Sequence, residues 1–208
     1  GIKWATTNIG AHRPQDAGNY YAWGETTPKT DFRWATYAHG TADNSLTKYS
    51  QEDGLWTLDA TDDVVSCTWG GTWRMPTKNE WSELQEHCVW TWTDDYNQTG
   101  VAGYVVASKS SDASLFLPAA GCRYANQINE KGVHGYYWSS SLFTNHSSYR
   151  GSAYQLQFFQ AIVKSNWNYT RYYGSSVRGV CPAPTTKSAG STQSNRSINA
   201  MGGKTHFN

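Results

Sequence analysis

Four cysteines and six histidines are the residues of this 208-residue chain that could carry covalent or metal chemistry. Cys67, Cys88, Cys122 and Cys181 form no C-x-x-C pair, and none has a histidine at metal-ligand spacing, so zinc is not expected. One or two disulfides and free buried thiols both fit this pattern. A reactive thiolate needs a cation or a helix N-terminus beside it. Cys88 falls instead at the C-terminal end of a predicted helix, which raises a thiol pKa. His12, His39, His87, His134, His146 and His206 are scattered, and isolated histidines are mostly structural or surface groups. Asp59, Asp62 and Asp63 supply clustered oxygens of the kind a hard cation wants, but no EF-hand pattern surrounds them. A solvated helix N-terminus accounts for them better. The sequence therefore predicts no catalysis, no cofactor and no metal.

Binding chemistry is better represented. Between Phe143 and Tyr173 the chain is rich in Tyr, Phe, Ser and Asn, and its only charges there besides His146 are Arg150, Lys164 and Arg171. Exposed Tyr and Trp supply large contact area at low rotamer cost, and Ser, Asn and Gly supply adaptable hydrogen bonds, as in a paratope. A polar loop pair with its aromatics tucked inward fits the same composition. Candidate contacts are Phe143, Asn145, His146, Ser147, Tyr149, Arg150, Phe159, Ile162, Ser165, Trp167, Asn168, Tyr169, Tyr172 and Tyr173. A contact of about 800 Å² per partner takes on the order of 20 residues, which this segment can supply.

The elements that must position these residues are legible in part. Tyr154, Leu156 and Phe158 alternate with Gln155 and Gln157, so a half-buried strand is expected there, one face in the core and one in water. Its flanks, 143–152 and 159–172, lack that alternation and are not expected to build core. Thr77 and Glu80 make a capping box, and Trp81, Leu84 and Cys88 then form one apolar stripe, predicting an amphipathic helix of about three turns. Strands are expected over 4–11, 20–24, 89–92, 103–106 and 114–118, the last two as a hairpin. From 32 to 66 there is little periodicity. Trp34, Tyr37, Leu46, Tyr49, Leu55, Trp56 and Leu58 are spaced as anchors of long loops. Ala119-Ala120-Gly121 allows close backbone approach, and 126–134 reads as a polar loop. One domain over 1–182 and a polar tail over 183–208 are expected, the tail having almost nothing to bury.

A charge of +1, with charged residues at 16%, leaves no footprint for nucleic acid and no basic run for a membrane surface. No apolar stretch approaches the length of a bilayer-spanning helix. Gly1 stands directly at a strand-like start, as in a piece excised from a longer protein.

Several separate motifs resemble one family. They are Lys3-Trp4-Ala5-Thr6-Thr7-Asn8-Ile9-Gly10-Ala11, Tyr21-Ala22-Trp23-Gly24-Glu25-Thr26, Gly71-Thr72-Trp73-Arg74-Met75-Pro76-Thr77-Lys78-Asn79-Glu80-Trp81, Phe116-Leu117-Pro118-Ala119-Ala120-Gly121, Tyr137-Trp138-Ser139-Ser140-Ser141 and Ser176-Val177-Arg178-Gly179-Val180. They resemble the formylglycine-generating-enzyme-like branch of the C-type lectin fold, which includes variable proteins of diversity-generating retroelements. The resemblance implies an α+β, loop-rich domain with a small antiparallel sheet and two framework helices. It also implies ligand contacts within 142–173, rewritten through adenines of Asn codons. Such rewriting cannot produce Gln, Lys, Trp, Glu or Met, so Gln155, Gln157, Gln160, Lys164 and Trp167 would be fixed.

The catalytic relatives use a close cysteine pair late in the domain, and no such pair occurs here. Glu-Pro-Asn and Trp-Asn-Asp, the calcium-dependent sugar motifs, are also missing. The combined expectation is a non-catalytic binder of a protein or glycan on a target cell, at a cell surface or on a phage tail tip. It binds no nucleic acid and inserts in no membrane, and its tail is a candidate for self-association. A pilus-tip or fibre subunit is the alternative, and a formylglycine-generating-type oxidase comes third.

Overall fold

The computed structural model describes residues 1–50, 52–145 and 150–183, and the backbone of 206–207. In chain order the strands are β1 (Ile2–Asn8), β2 (Gly40–Ala42), β3 (Ser45–Leu46), β4 (Cys88–Thr93), β5 (Gly103–Ser108) and β6 (Ser114–Pro118). They continue with β7 (Cys122–Tyr124), β8 (Gln127–Asn129), β9 (Gly135–Leu142), β10 (Ser152–Phe159), β11 (Ile162–Thr170), β12 (Arg178–Pro182) and β13 (His206–Phe207). The α-helices are α1 (Val64–Trp69) and α2 (Lys78–His87).

This corrects the expected α+β fold of the C-type lectin type. Small antiparallel sheets dominate, with 42% of the described residues in strands or bridges and 12% in helix. The sheets run β12-β1-β13, β11-β10-β9, β4-β5-β6, β2-β3 and β7-β8. The physical reason lies in what the matching motifs encode. Gly71 to Trp81 fixes one turn and one helix start, and the other motifs fall in β1, β6, β9 and β12 or, at 21–26, in a loop held by one bridge. None of them sets how many strands the intervening polar segments contribute.

Those segments contribute more than their periodicity suggests. The polar stretch 126–134 contains β8, which pairs with β7. The flank after β10 becomes β11, paired antiparallel along β10 from Ser152↔Thr170 to Phe159↔Ile162. Conversely, 20–24 is not a strand and makes one isolated bridge, Tyr21↔Ser175. Trp56, expected as an anchor, is 50% exposed.

Other expectations hold. β5 and β6 form the hairpin. At Gly121 (φ +69°) a Cβ would lie 2.1 Å from the carbonyl of Asn129, so the close approach requires glycine. Asp63 caps α1, its carboxylate accepting from Val65 N (2.9 Å), Ser66 N (3.0 Å) and Met75 N (2.7 Å). It is buried rather than solvated. The tail over 184–205 lies outside the described residues, as does its expected role in self-association. The backbone at 206–207 pairs with β1.

The capping box forms as read. Thr77 Oγ1 accepts from Glu80 N (3.2 Å), and Thr77 N donates to the Glu80 carboxylate (2.8 Å). Arg74 adds two bonds to that carboxylate, at 2.7 and 2.5 Å. Trp81 and Leu84 point inward to Trp4, Tyr137, Leu156, Phe158 and Val180. A second core surrounds Trp23, Tyr49, Met75 and Trp138, and a third surrounds Tyr20, Phe32 and Tyr37.

Candidate functional site: the outer face of the β11-β10-β9 sheet

The alternation along β10 gives this sheet two unlike faces. Leu156 and Phe158 turn toward α2 and are fully buried. α2 also covers the neighbouring part of β11. Gln85 Nε2 donates to Val163 O (3.0 Å), and Ser165 N donates to Gln85 Oε1 (3.1 Å), so one side-chain amide satisfies the strand edge as a paired strand would. Ser165 Oγ lies 3.1 Å from Ser82 Oγ.

A bulge in β11 builds the other face. Gln155 pairs with Trp167 and Gln157 with Lys164, so Leu156 faces both Ser165 and Asn166. In a regular strand residues three apart point to opposite faces. The extra residue brings Lys164 and Trp167 to the same face, with Nζ 4.2 Å from the indole centroid. Trp167 is 40% exposed, as is Ile162.

From Trp167 the face continues through an aromatic band. Tyr169 packs against Tyr136 (5.4 Å between centroids) and Tyr173 (4.6 Å). Tyr173 stacks on Tyr172 (4.8 Å) and Tyr124 (5.3 Å), and Tyr172 meets the edge of Trp34 (5.1 Å). Phe159, half-buried, packs on His134 (5.1 Å). Burial pushes the phenols of Tyr136, Tyr169 and Tyr172 well above the usual range, reinforced by Glu130, Cys122 and Tyr173 respectively. All three stay protonated donors at neutral pH.

The predicted contacts thus divide. Ile162, Trp167, Tyr169, Tyr172, Tyr173 and Phe159 belong to this face. Ser165 and Phe143 are buried, Phe143 edge-on to Tyr154 at 4.9 Å, and they serve as packing rather than surface. Asn168 is half-buried opposite Tyr154. Asn145 and Arg150 are exposed elsewhere, Arg150 lying 3.4 Å from Glu52. His146, Ser147 and Tyr149 lie outside the described residues. The sequence reading missed Lys164, Tyr124, Tyr136 and Trp34 as members. Lys164 had a signal, being a lone cation three residues from a Trp, but only the bulge gives that spacing meaning.

The water-facing side of β10 also needs correction. Gln155 is fully buried and accepts from Ser175 Oγ at 3.4 Å, because β11 and the 173–176 segment cover it. Arg171, just past β11, is buried as well. Its guanidinium donates to Arg150 O (2.6 Å) and lies over Trp23 (5.5 Å), tying the strand end to the core.

The thiols are free: Cys67 exposed, Cys88 half-buried, Cys122 and Cys181 buried. Burial raises all four, Cys122 to about 11, the opposite of what a nucleophilic thiol needs. For Cys88 the cause is burial rather than its place at the helix end. Asp62 receives Lys48 Nζ (2.7 Å) and Tyr49 Oη (2.6 Å), and Asp59 also pairs with Lys48 (2.7 Å). No cluster of three or more His, Cys, Asp or Glu suited to a metal occurs among the described residues. No helix among them is long and apolar enough to cross a membrane.

Comparison with family models, with curated proteins and with solved structures returns no match to this chain.

Proposed function

We propose that this chain is a non-catalytic ligand-binding domain whose contact surface is the outer face of β11 with the adjoining tyrosine band. The observation that carries the reading is the Trp167–Lys164 pair, an indole held two-fifths in water by a strand bulge and flanked by a cation. Keeping a ring this size in water forgoes burial energy, and aromatic anchors of this kind dominate interface energetics. The partner is a protein or glycan on another cell, met at a cell surface or on a phage particle. The raised thiols weigh against the oxidase alternative.

Diversification by an adenine-directed retroelement remains part of the proposal for the surrounding positions. Lys164 and Trp167 cannot arise by rewriting an Asn codon, so the centre of the face is a fixed anchor. Ile162, Tyr169, Tyr172 and Tyr173 around it are of permitted types. Sequencing the gene from a population would reveal adenine-position changes at these four codons, with codons 164 and 167 constant.

The direct test is capture of glycans and intact cells by the purified chain and by Trp167→Ala. Loss of capture with an unchanged denaturation midpoint supports the reading. Retention of every captured ligand by both Trp167→Ala and Lys164→Ala sinks it. Tyr169→Ala is a poorer probe, since its ring is packed and its hydroxyl lies 4.0 Å from Cys122 Sγ.

A further inference from the structure

A second surface, on the α2 side of the same sheet, carries features that fold stability does not explain. Residues 56–58 run beside β9, with Leu142 N donating to Trp56 O (2.9 Å) and Leu58 N to Ser140 O (2.9 Å). This rigid attachment holds the Trp56 ring half in water. Trp56, Lys78, Ser141, Leu142, Thr144 and Tyr154 line a cleft of about 380 Å³, within the range that takes one small ligand.

Two details of the cleft are unfavourable without a ligand. Lys78 is the first residue of α2, where the helix dipole disfavours a cation. Its Nζ lies 4.4 Å from the Tyr154 ring centroid. Among the described residues it has no carboxylate partner, because Glu80, the acid in that turn, is taken by Arg74. Tyr154 is 2% exposed, yet its Oη is buried with no hydrogen-bond partner among the described residues. A buried hydroxyl without a partner is costly, so a ligand that uncovered this one and supplied an oxygen to it would relieve that cost.

We propose that this cleft binds a single acidic sugar residue, a uronic or sialic acid at a glycan terminus. Trp56 stacks on the apolar face of the ring, as aromatic side chains do with amphipathic ligands. The Lys78 ammonium pairs with the carboxylate, helped by the α2 N-terminus. Tyr154 Oη, Ser141 and Thr144 take ring hydroxyls. A flat exposed indole beside several hydroxyls suits a polyhydroxylated ring better than an acidic peptide side chain. The inference extends the ligand-binding reading to a different surface and does not use Trp167 or Lys164.

The test follows indole N–H resonances of the full chain during titration with glucuronic acid, N-acetylneuraminic acid, neutral glucose and N-acetylglutamate. The Trp56 signal is expected to shift with one or both acidic sugars and to stay in place with glucose. Lys78→Gln is expected to weaken that binding tenfold or more. Tyr154→Phe is expected to weaken it several-fold while leaving the melting temperature unchanged or higher, a combination that a purely structural hydroxyl would not give. Trp167→Ala should leave the Trp56 response intact even if it abolishes capture of cells, so the two surfaces fail separately. The proposal is overturned if the Trp56 signal stays in place with both acidic sugars, or if glucose or N-acetylglutamate shifts it equally. It is equally overturned if the response survives Lys78→Gln.

Discussion

The two faces of the β11-β10-β9 sheet use the same kinds of side chain to opposite ends. On the α2 face, Trp81, Tyr137 and Phe158 are fully buried, and the polar atoms of Trp81 and Tyr137 are matched to backbone carbonyls. Trp81 Nε1 donates to Trp138 O (3.3 Å) and Tyr137 Oη to Pro118 O (2.8 Å). On the outer face, Tyr124, Tyr172 and Tyr173 lean chiefly on one another, and Trp167 stands in water against Lys164. An aromatic residue is therefore not in itself a sign of core or of site in this chain. What separates the two is whether its polar atom is paired to the fold and its ring enclosed.

Mutation should break this contrast cleanly. The largest effect is expected for Trp81→Ala, which empties a core position and strands the Trp138 carbonyl, costing about 3–5 kcal/mol in urea denaturation. Gly135→Ala comes next. Its Cβ would fall 2.1 Å from the Phe158 ring, and overpacking of this kind costs about 1–3 kcal/mol, read as a lowered midpoint with unchanged slope.

Glu80→Gln loosens the α2 cap and its Arg74 pair, an expected loss of about 1–2 kcal/mol at neutral pH. Burial raises the Glu80 pKa, but the bonds from Arg74 and Thr77 outweigh it and hold the group below its ordinary value. A lowered folded-state pKa means stability that is present above the unfolded value of about 4.3 and lost as pH falls through the folded one. Wild-type stability should therefore decline below about pH 4. That decline should be shallower in Glu80→Gln when unfolding is measured from pH 6 to pH 2.5.

Trp167→Ala should change stability by no more than about 0.5 kcal/mol, as exposed substitutions usually do, while removing ligand capture. The smallest effect concerns the thiols. Under native conditions an alkylating reagent should modify exposed Cys67 first and slowly, and Cys122 and Cys181 only after denaturant is added, as peptide mass mapping would show.

Much of the scaffold was legible because its signals are local. Thr77 and Glu80 sit three apart and specify a helix start wherever the chain places them. Ser114 to Pro118 and Gly103 to Val106 pair across a short turn. Gly121 announces a close approach through the lack of a Cβ. The stretch 142–173 was legible as a change of composition, and its strand β10 as a period of two.

What the sequence by itself determined, then, was the start of α2, the hairpin, the apolar side of β10 and the segment that carries the candidate contacts. The tertiary structure alone decided the rest. Strand β11 has no apolar alternation, and it exists because β10 offers it a ladder and Gln85 completes its edge. The bulge at Ser165 and Asn166 brings Lys164 and Trp167 together, and bulges follow from pairing register rather than residue type. Partners distant in the chain likewise sent Ser165 and Phe143 inward, buried Gln155, and left Trp56 in water beside Lys78. Local propensity fixes where an element begins. Which of its side chains meet water depends on partners distant in the chain, which no single stretch encodes.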